Sequence, residues 1–189
     1  MEKMIKALSY ISKLSEEDCN NLAKICDTIE LQKGDYWIEA NKENTMLAFV
    51  NEGYLRKYYL KGGKEITDFF YFDNDFCADL PSIIGKLKPH DNIVAMDKTV
   101  LTTFSYQAFN KLCETSLNLE HLLRIIVEST FLRFYNRTNS FILQSPIERY
   151  NDLLKSNSTI LQRATQYHIA SYLGISYQHL SRLRGGNSL

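Results

Sequence analysis

Little in this 189-residue sequence is arranged to cross a membrane, hold a metal or carry covalent chemistry. No apolar run approaches the ~18 residues of a bilayer span. The opening MEKMIKALSYISKLSEEDC alternates apolar and charged positions at helical spacing, unlike the unbroken apolar stretch of a signal peptide. Cysteines are few and scattered, at 19, 26, 77 and 113. Without pairs or clusters they read as reduced thiols in a cytoplasm, not as a disulfide frame or an iron–sulfur site. The histidines at 90, 121, 168 and 179 show no metal spacing such as HExxH. There is no Gly-x-Ser-x-Gly, no phosphate-binding Gly-rich loop and no close Cys–His pairing, so no residue is assigned a catalytic or metal-binding role and no cofactor is expected. Charge of one sign is also lacking: 22 basic residues face 22 acidic ones, which excludes a protein that binds polyanions over its whole surface. Internal repeats and low-complexity tracts are absent.

What is present is a 44% hydrophobic, 12% aromatic chain able to bury real cores in one or two compact domains. Its charge is uneven. Residues 1–144 hold 17 Lys and Arg against 20 Asp and Glu, whereas residues 145–189 hold Arg149, Lys155, Arg163, Arg182 and Arg184 against only Glu148 and Asp152. A neutral chain with a basic last quarter suggests a sensing or assembly body with an anion-binding end.

The pattern of elements supports an α+β fold. Ile5, Leu8 and Ile11 fall at helical spacing. Ser15-Glu16-Glu17-Asp18 opens a second helix, a Ser cap followed by acids at the positive helix end, whose stripe continues through Leu22, Ile25 and Ile29. From about 29 to 105, short β-rich runs (46–50, 54–60, 65–72, 92–96 and 99–105) alternate with turn signals such as Asn51-Glu52-Gly53 and Gly62-Gly63. That texture predicts an antiparallel sandwich or barrel-like roll. A short helix over 106–116 follows, then one long helix over 117–143. At 100° per residue, Leu123, Val127, Thr130, Phe134 and Phe141 gather on one side, and Ile125, Leu132 and Leu143 roughly opposite. A helix apolar on two sides needs two neighbours. The roll can be one, and a second copy of the helix in a two-fold dimer is the economical other; enclosure within a single chain is the alternative.

Ser145-Pro146 caps a helix to about Ser156, and 157–164 read as a link. In TQYHIASYLGISYQHLSRLR (165–184), Thr165 caps a helix with Ile169, Tyr172 and Leu173 inward, Gly174 ends it, and Ser176 caps a second helix with Leu180 and Leu183 inward. Two short helices joined by a three-residue Gly turn are a helix-turn-helix, with small Ala170 at the crossing. The second helix turns Tyr177, Gln178, Ser181, Arg182 and Arg184 outward. Gln can bond both edge groups of adenine and Arg both acceptors of guanine. The hydroxyls of Thr165 and Ser176 at the two helix N-termini suit phosphate. An ordinary helical hairpin with a solvated face is the bland alternative.

Those segments resemble a known family. ERYNDLLKSNSTILQRATQYHIASYLGISYQHLSRLR is similar to the C-terminal region of Crp/Fnr-type bacterial transcription regulators with a short C-terminus. KGDYWIEANKENTMLAFVNEGYLRKYYLKGGKEITDFFYFDNDF resembles the cyclic-nucleotide-binding-type β-roll of that family. The resemblance runs from about residue 15 to 184. It implies an N-terminal β-roll (a double-stranded β-helix) flanked by helices in residues 1–116, a dimerisation helix in 117–144 and a DNA-binding helix-turn-helix in 145–189. It further implies a homodimer on double-stranded DNA in the cytoplasm, with no membrane and with RNA polymerase as a further partner. On the family pattern Thr165, Gln166, Ser176 and Arg184 contact phosphate, and Tyr177, Gln178 and Arg182 read bases. Leu123, Val127, Thr130, Phe134 and Phe141 line the dimer helix. A small-molecule effector of unassigned chemistry would lie near Lys57, Asp79, Asp91 and Asn92.

Two departures set limits on that resemblance. Members that bind cyclic AMP carry Gly-Glu-Leu and, about ten residues later, Arg-Ser/Thr-Ala. Here Ala78-Asp79-Leu80 and Asp91-Asn92-Ile93 stand in those places, and Arg133 and Phe134 stand where adenine is read. A carboxylate in place of the guanidinium repels a phosphate, so no appreciable cyclic-AMP binding is expected. With few residues after Arg184, the winged hairpin of longer relatives is expected to be reduced or absent. The competing reading is a ligand-sensing or dimerisation protein whose terminal helices dock a protein; steep salt dependence would mark DNA instead.

Overall fold

The structure, a computed structural model, describes residues 1–156 and 158–185. In chain order come helices α1 (Glu2–Ser9) and α2 (Glu16–Ile25). Strands β1 (Cys26–Leu31), β2 (Tyr36–Ile38), β3 (Met46–Glu52), β4 (Tyr54–Lys61), β5 (Lys64–Phe72) and β6 (Phe76–Cys77) follow, then helix α3 (Leu80–Gly85). Strands β7 (Asp91–Ala95) and β8 (Thr99–Ser105) precede helices α4 (Tyr106–Cys113) and α5 (Leu117–Leu143). Four short helices end the described chain: α6 (Pro146–Ser156), α7 (Ser158–Arg163), α8 (Gln166–Leu173) and α9 (Tyr177–Arg184). The strand orders are β1-β8-β3-β6 and β2-β7-β4-β5. This is the expected α+β architecture of a roll, a long helix and terminal helices.

The five predicted strand runs are all strands. Three further short ones appear, and Ile29 lies in β1 instead of extending the α2 stripe. Cys26 has extended backbone at φ −99°, ψ 136° and ends the helix there. Residues 158–163, read as part of a link, form α7; Ile160 is its buried anchor. No strand follows α9 among the described residues, and residues 186–189, where a wing would begin, lie outside them.

By packing, the residues group into two units. The first comprises Met1–Lys57 with Phe70–Thr130; the second comprises Tyr58–Phe69 with the chain from Phe131 on. In the first, β8 pairs antiparallel with β1 (Cys26 opposite Phe104 through Leu31 opposite Thr99) and with β3 (Met46 opposite Ser105, Val50 opposite Leu101). The inner side of this sheet, Leu47, Phe49 and Phe104, meets Met4 and Leu8 of α1, Leu22 of α2, Phe109 of α4, and Leu119, Leu122 and Ile126 of α5. The β3/β8 register shifts between Val50 and Glu52, and Gly53 follows at φ +101°. A Cβ there would stand 2.6 Å from the Lys98 carbonyl, so the β3–β4 turn admits only glycine without rearrangement.

Asp18 joins three of those pieces. Ser15 and Asp18 form the capping box of α2: the Ser15 hydroxyl accepts from the Asp18 amide at 3.0 Å, and the Asp18 carboxylate accepts from the Ser15 amide at 2.9 Å. The same carboxylate accepts from Ser116 Oγ at 2.5 Å and Asn118 Nδ2 at 3.1 Å, while Ser116 Oγ accepts from the Leu119 amide at the start of α5. Burial works to raise the Asp18 pKa, but the bonds from Ser116, Ser15 and Asn118 outweigh it and hold the carboxyl at about 2 against an ordinary 3.8.

All four cysteines are free thiols. Burial pushes the Cys26 and Cys113 thiols up to about 11.

Because the folded pKa of Asp18 is depressed, its contribution is complete above pH ~4 and is lost as the pH falls from there toward ~2. Asp18→Asn should cost about 1–3 kcal/mol at neutral pH, the range for hydrogen bonds to a charged group. In denaturant titrations between pH 2 and 7, the variant should also show a shallower acid limb than the parent.

Candidate nucleic-acid interface

The terminal helix pair, in the second unit, forms as its residue types dictate. The Thr165 hydroxyl accepts from the His168 amide at 3.3 Å and starts α8; the Ser176 hydroxyl accepts from the His179 amide at 3.1 Å and starts α9. Between them Gly174 takes φ +69°, and the Ile175 amide donates back to the Ala170 carbonyl at 3.0 Å. Ile169, Ala170, Leu173 and Leu180 are buried, and Leu183 is half-buried. These two stripes hold the helices together through their inner sides.

The opposite side is open. Thr165, Gln166, Ser176, Tyr177, Gln178, Ser181, Arg182 and Arg184 are all exposed. Gln178, Arg182 and Ser181 lie within one turn of each other along α9, so one edge carries an amide, a hydroxyl and a guanidinium to solvent. The proposed phosphate and base contacts therefore share an accessible surface on two capped helix starts.

Two arginines fix this pair to α5 and α6: Arg149, counted above only in the charge of the basic last quarter, and Arg137, which sequence reasoning did not single out. Arg149 Nε donates to the Leu173 carbonyl at 3.0 Å, and its Nη1 to the Gln144 carbonyl at 2.6 Å. Arg137 donates to the Tyr172 carbonyl and lies 3.8 Å over the Tyr172 ring. Both guanidinium groups also flank Phe141, at 4.4 Å for Arg137 and 4.8 Å for Arg149. The last carbonyls of α8, which a helix cannot satisfy itself, are thus met by cations at the negative helix end. Gly174 packs directly on Phe141: a Cβ would stand 2.6 Å from Cε1 of the ring. The sequence signal was there, since Arg137 and Phe141 are four residues apart on one helix face. What it could not supply was the partner, 30-odd residues later in the chain. The Ser145 cap of α6 is as read, with Glu148 accepting from the Ser145 amide at 2.8 Å.

Of the five residues assigned to the dimer face of α5, Leu123, Val127, Thr130 and Phe134 are half-buried against their own chain, and Phe141 is 44% exposed. Leu123 and Val127 pack on the core of the first unit. Thr130 donates to the Ile126 carbonyl at 2.7 Å. The Phe134 ring meets Phe69 edge-on at 5.3 Å, and Phe141 is the ring between the arginines. The large apolar side chains that this half of α5 leaves to solvent are Phe131, Leu132, Tyr135, Phe141, Ile142 and Leu143, 44–76% exposed, with Phe131 and Tyr135 stacked at 6.2 Å. At 100° per residue Phe131, Leu132, Tyr135 and Ile142 fall within about a third of the helix circumference, with Leu143 at its edge.

The four roll residues are in the first unit and are buried. Lys57 Nζ lies 3.1 Å from Asp91 Oδ2, both side chains at most 3% exposed. Asp79 accepts from the Ser82 hydroxyl. Burial raises the Asp91 pKa, Lys57 opposes this, and nearby Asp79 adds to it. Asn92 turns to a different partner and accepts from the Ala40 amide at 3.0 Å. The structure thus brings Lys57, Asp91 and Asp79 together as an internally paired set in which the lysine charge is already met by a carboxylate. Among the described residues no group of three or more His, Cys, Asp or Glu could hold a metal ion, and no helix is long and apolar enough to cross a membrane.

No protein-family model matches the chain, and no curated protein matches it in sequence. Solved structures do match in fold. FixK2 from Bradyrhizobium japonicum superposes with a TM-score of 0.72 at 13% identity, over 86% of this chain and 84% of that one. A CooA mutant from Carboxydothermus hydrogenoformans gives 0.71 at 16% identity, over 91% and 80%. A protein described as a transcriptional regulator of the crp/fnr family, from Eubacterium rectale, gives 0.68 at 22% identity, over 90% and 82%. With its two four-stranded antiparallel sheets, 27-residue helix and capped terminal helix pair, this chain has the Crp/Fnr-type fold.

Proposed function

We propose that the protein is a sequence-specific DNA-binding transcription regulator, not an enzyme, that acts in the cytoplasm as a homodimer and does not respond to cyclic AMP. The observation that carries this reading is the open edge of α9, where Gln178 and Arg182 are exposed while the inner sides of α8 and α9 are buried. A duplex offers such an edge the paired acceptors of guanine and the donor–acceptor pair of adenine. Thr165, Gln166, Ser176 and Arg184 surround it as phosphate contacts, and Tyr177 adds an aromatic face. The fold shared with transcription regulators supports the same assignment.

The dimer reading rests on Phe131, Leu132, Tyr135 and Ile142. Four large apolar side chains in a stripe on one long helix are a surface that a second copy can cover by two-fold symmetry, each residue meeting its own counterpart or neighbour. We add this stripe to the seam proposed at Leu123, Val127, Thr130, Phe134 and Phe141, side chains that are half-buried or exposed in a single copy. The cyclic-AMP reading rests on Lys57 and Asp91. A cyclic phosphate entering there would have to compete with a buried carboxylate for the one buried ammonium beside it.

Selection from a random duplex pool should enrich a two-fold-related site whose binding falls steeply with salt, as phosphate contacts release counterions. Arg182→Ala should cost about 1–3 kcal/mol and relax preference at one position of each half-site. An affinity that ignores salt, or an unaltered site preference in that variant, would point to a protein partner for α9. Tyr135→Glu with Ile142→Glu should give a monomer in sedimentation equilibrium at micromolar concentration, and a Leu123 substitution should also lower stability, since that side chain packs on the core of the first unit. Calorimetry should detect no cyclic-AMP binding in the micromolar range.

A further inference from the structure

Strand β5 lies at the end of its sheet and so presents one row of backbone groups with no neighbouring strand. In a strand, residues two apart point their N–H and C=O groups to the same edge. Glu65 and Thr67, both in the second unit, share such an edge. There the groups are taken up by the terminal helices and α5, not by a strand. The Thr67 amide donates to Ser171 Oγ at 2.9 Å, and Ser171 Oγ donates to the Glu65 carbonyl at 3.3 Å. One hydroxyl therefore occupies the donor–acceptor pair that a fifth strand would take. Arg137 Nη2 reaches the Thr67 carbonyl at 3.5 Å while also donating to the Tyr172 carbonyl, one residue beyond Ser171, and its Nε lies 4.0 Å from Asp68 Oδ1. The neighbouring rings close the joint: Phe69 packs edge-on to Phe134, and the Arg133 guanidinium lies 5.1 Å over Phe69.

We propose that Ser171 is a positioning residue: by hydrogen-bonding both Glu65 and Thr67 it latches the β4–β5 hairpin tip to the first helix of the terminal pair, and so sets the orientation in which α9 is presented to DNA. This rests on the DNA reading above and extends it. Ser171 is on the half-buried side of α8, away from Gln166, Gln178 and Arg182, so it touches no duplex. Its residue type also needs explaining. Alanine is the better helix former at an interior helix position, and serine gives up that advantage unless its hydroxyl has work elsewhere. The β5 edge supplies that work. Arg137 makes the latch two-sided, because the same guanidinium holds the strand carbonyl and the helix terminus.

The test uses the full chain and three variants: Ser171→Ala, Ser171→Thr and Arg182→Ala. Amide exchange at Thr67 should quicken by about fivefold or more in Ser171→Ala, which removes the acceptor, and return toward the parent rate in Ser171→Thr, which restores a hydroxyl. Affinity for the selected duplex should fall in Ser171→Ala with the salt slope unchanged, since no phosphate contact is lost, and recover in Ser171→Thr. Arg182→Ala should weaken DNA binding with Thr67 exchange unaltered. Unchanged Thr67 exchange in Ser171→Ala overturns the latch. Faster exchange with full DNA affinity overturns the positioning role and leaves Ser171 as edge protection alone. If the parent protein selects no duplex, the DNA reading fails, and the exchange measurement still decides whether Ser171 holds the hairpin.

Discussion

The carbonyl end of α8 is the constraint on which the rest of the terminal unit depends. A helix of eight residues leaves half its carbonyls without internal partners, and so short an element has little stability of its own. Here Gly174 turns the chain back on Ala170 while Arg149 and Arg137 cover Leu173 and Tyr172. Phe141 lies between the two cations and against the glycine. The arrangement couples three things that could otherwise vary independently: where α8 ends, how α5 and α6 meet it, and which side of α9 is left open. The arginines are mostly withdrawn from solvent, and burial lowers the Arg137 pKa, with Tyr172 and Asp68 opposing that shift. A guanidinium tolerates this because its planar, delocalised charge can stack on rings and still donate several hydrogen bonds.

The roll solves a different electrostatic problem. Lys57 and Asp91 are both withdrawn from water, and such a pair contributes little net stability relative to apolar residues of the same size. Its effect is on what else can enter. Removing either partner would strand the other as a buried charge. The sequence departure at Asp91, read as the loss of a phosphate-binding arginine, is in physical terms the acquisition of an internal counter-charge.

Much of the fold was legible because its signals are local. The Ser15, Ser145, Thr165 and Ser176 caps, the Gly174 stop and the five main strand runs lie where hydrogen-bonding side chains and alternation put them. The short strands β1, β2 and β6 were not legible, since their pairing partners are distant and their own patterns are brief. Residues 158–163 carried too few apolar positions to announce a helix, and Ile160 alone does not make a stripe. Which face of α5 meets its own chain was not legible, for a sharper reason. Periodicity separates sides of a helix but does not say which side its own chain takes, and Phe134 and Phe141 were claimed by Phe69 and by two arginines. The exposed edge of α9 was readable because outward polar residues need no partner to be placed. Arg137, Arg149 and Ser171 were not, because each acts on backbone groups that residue identity does not reveal.

Two of the three half-buried cysteines, Cys26 and Cys113, have a consequence for thiol chemistry. With burial pushing their thiols up to about 11, Cys26 and Cys113 stay protonated at neutral pH. Peroxides and disulfides react with the thiolate, so both side chains are slow toward oxidants and toward mixed-disulfide exchange.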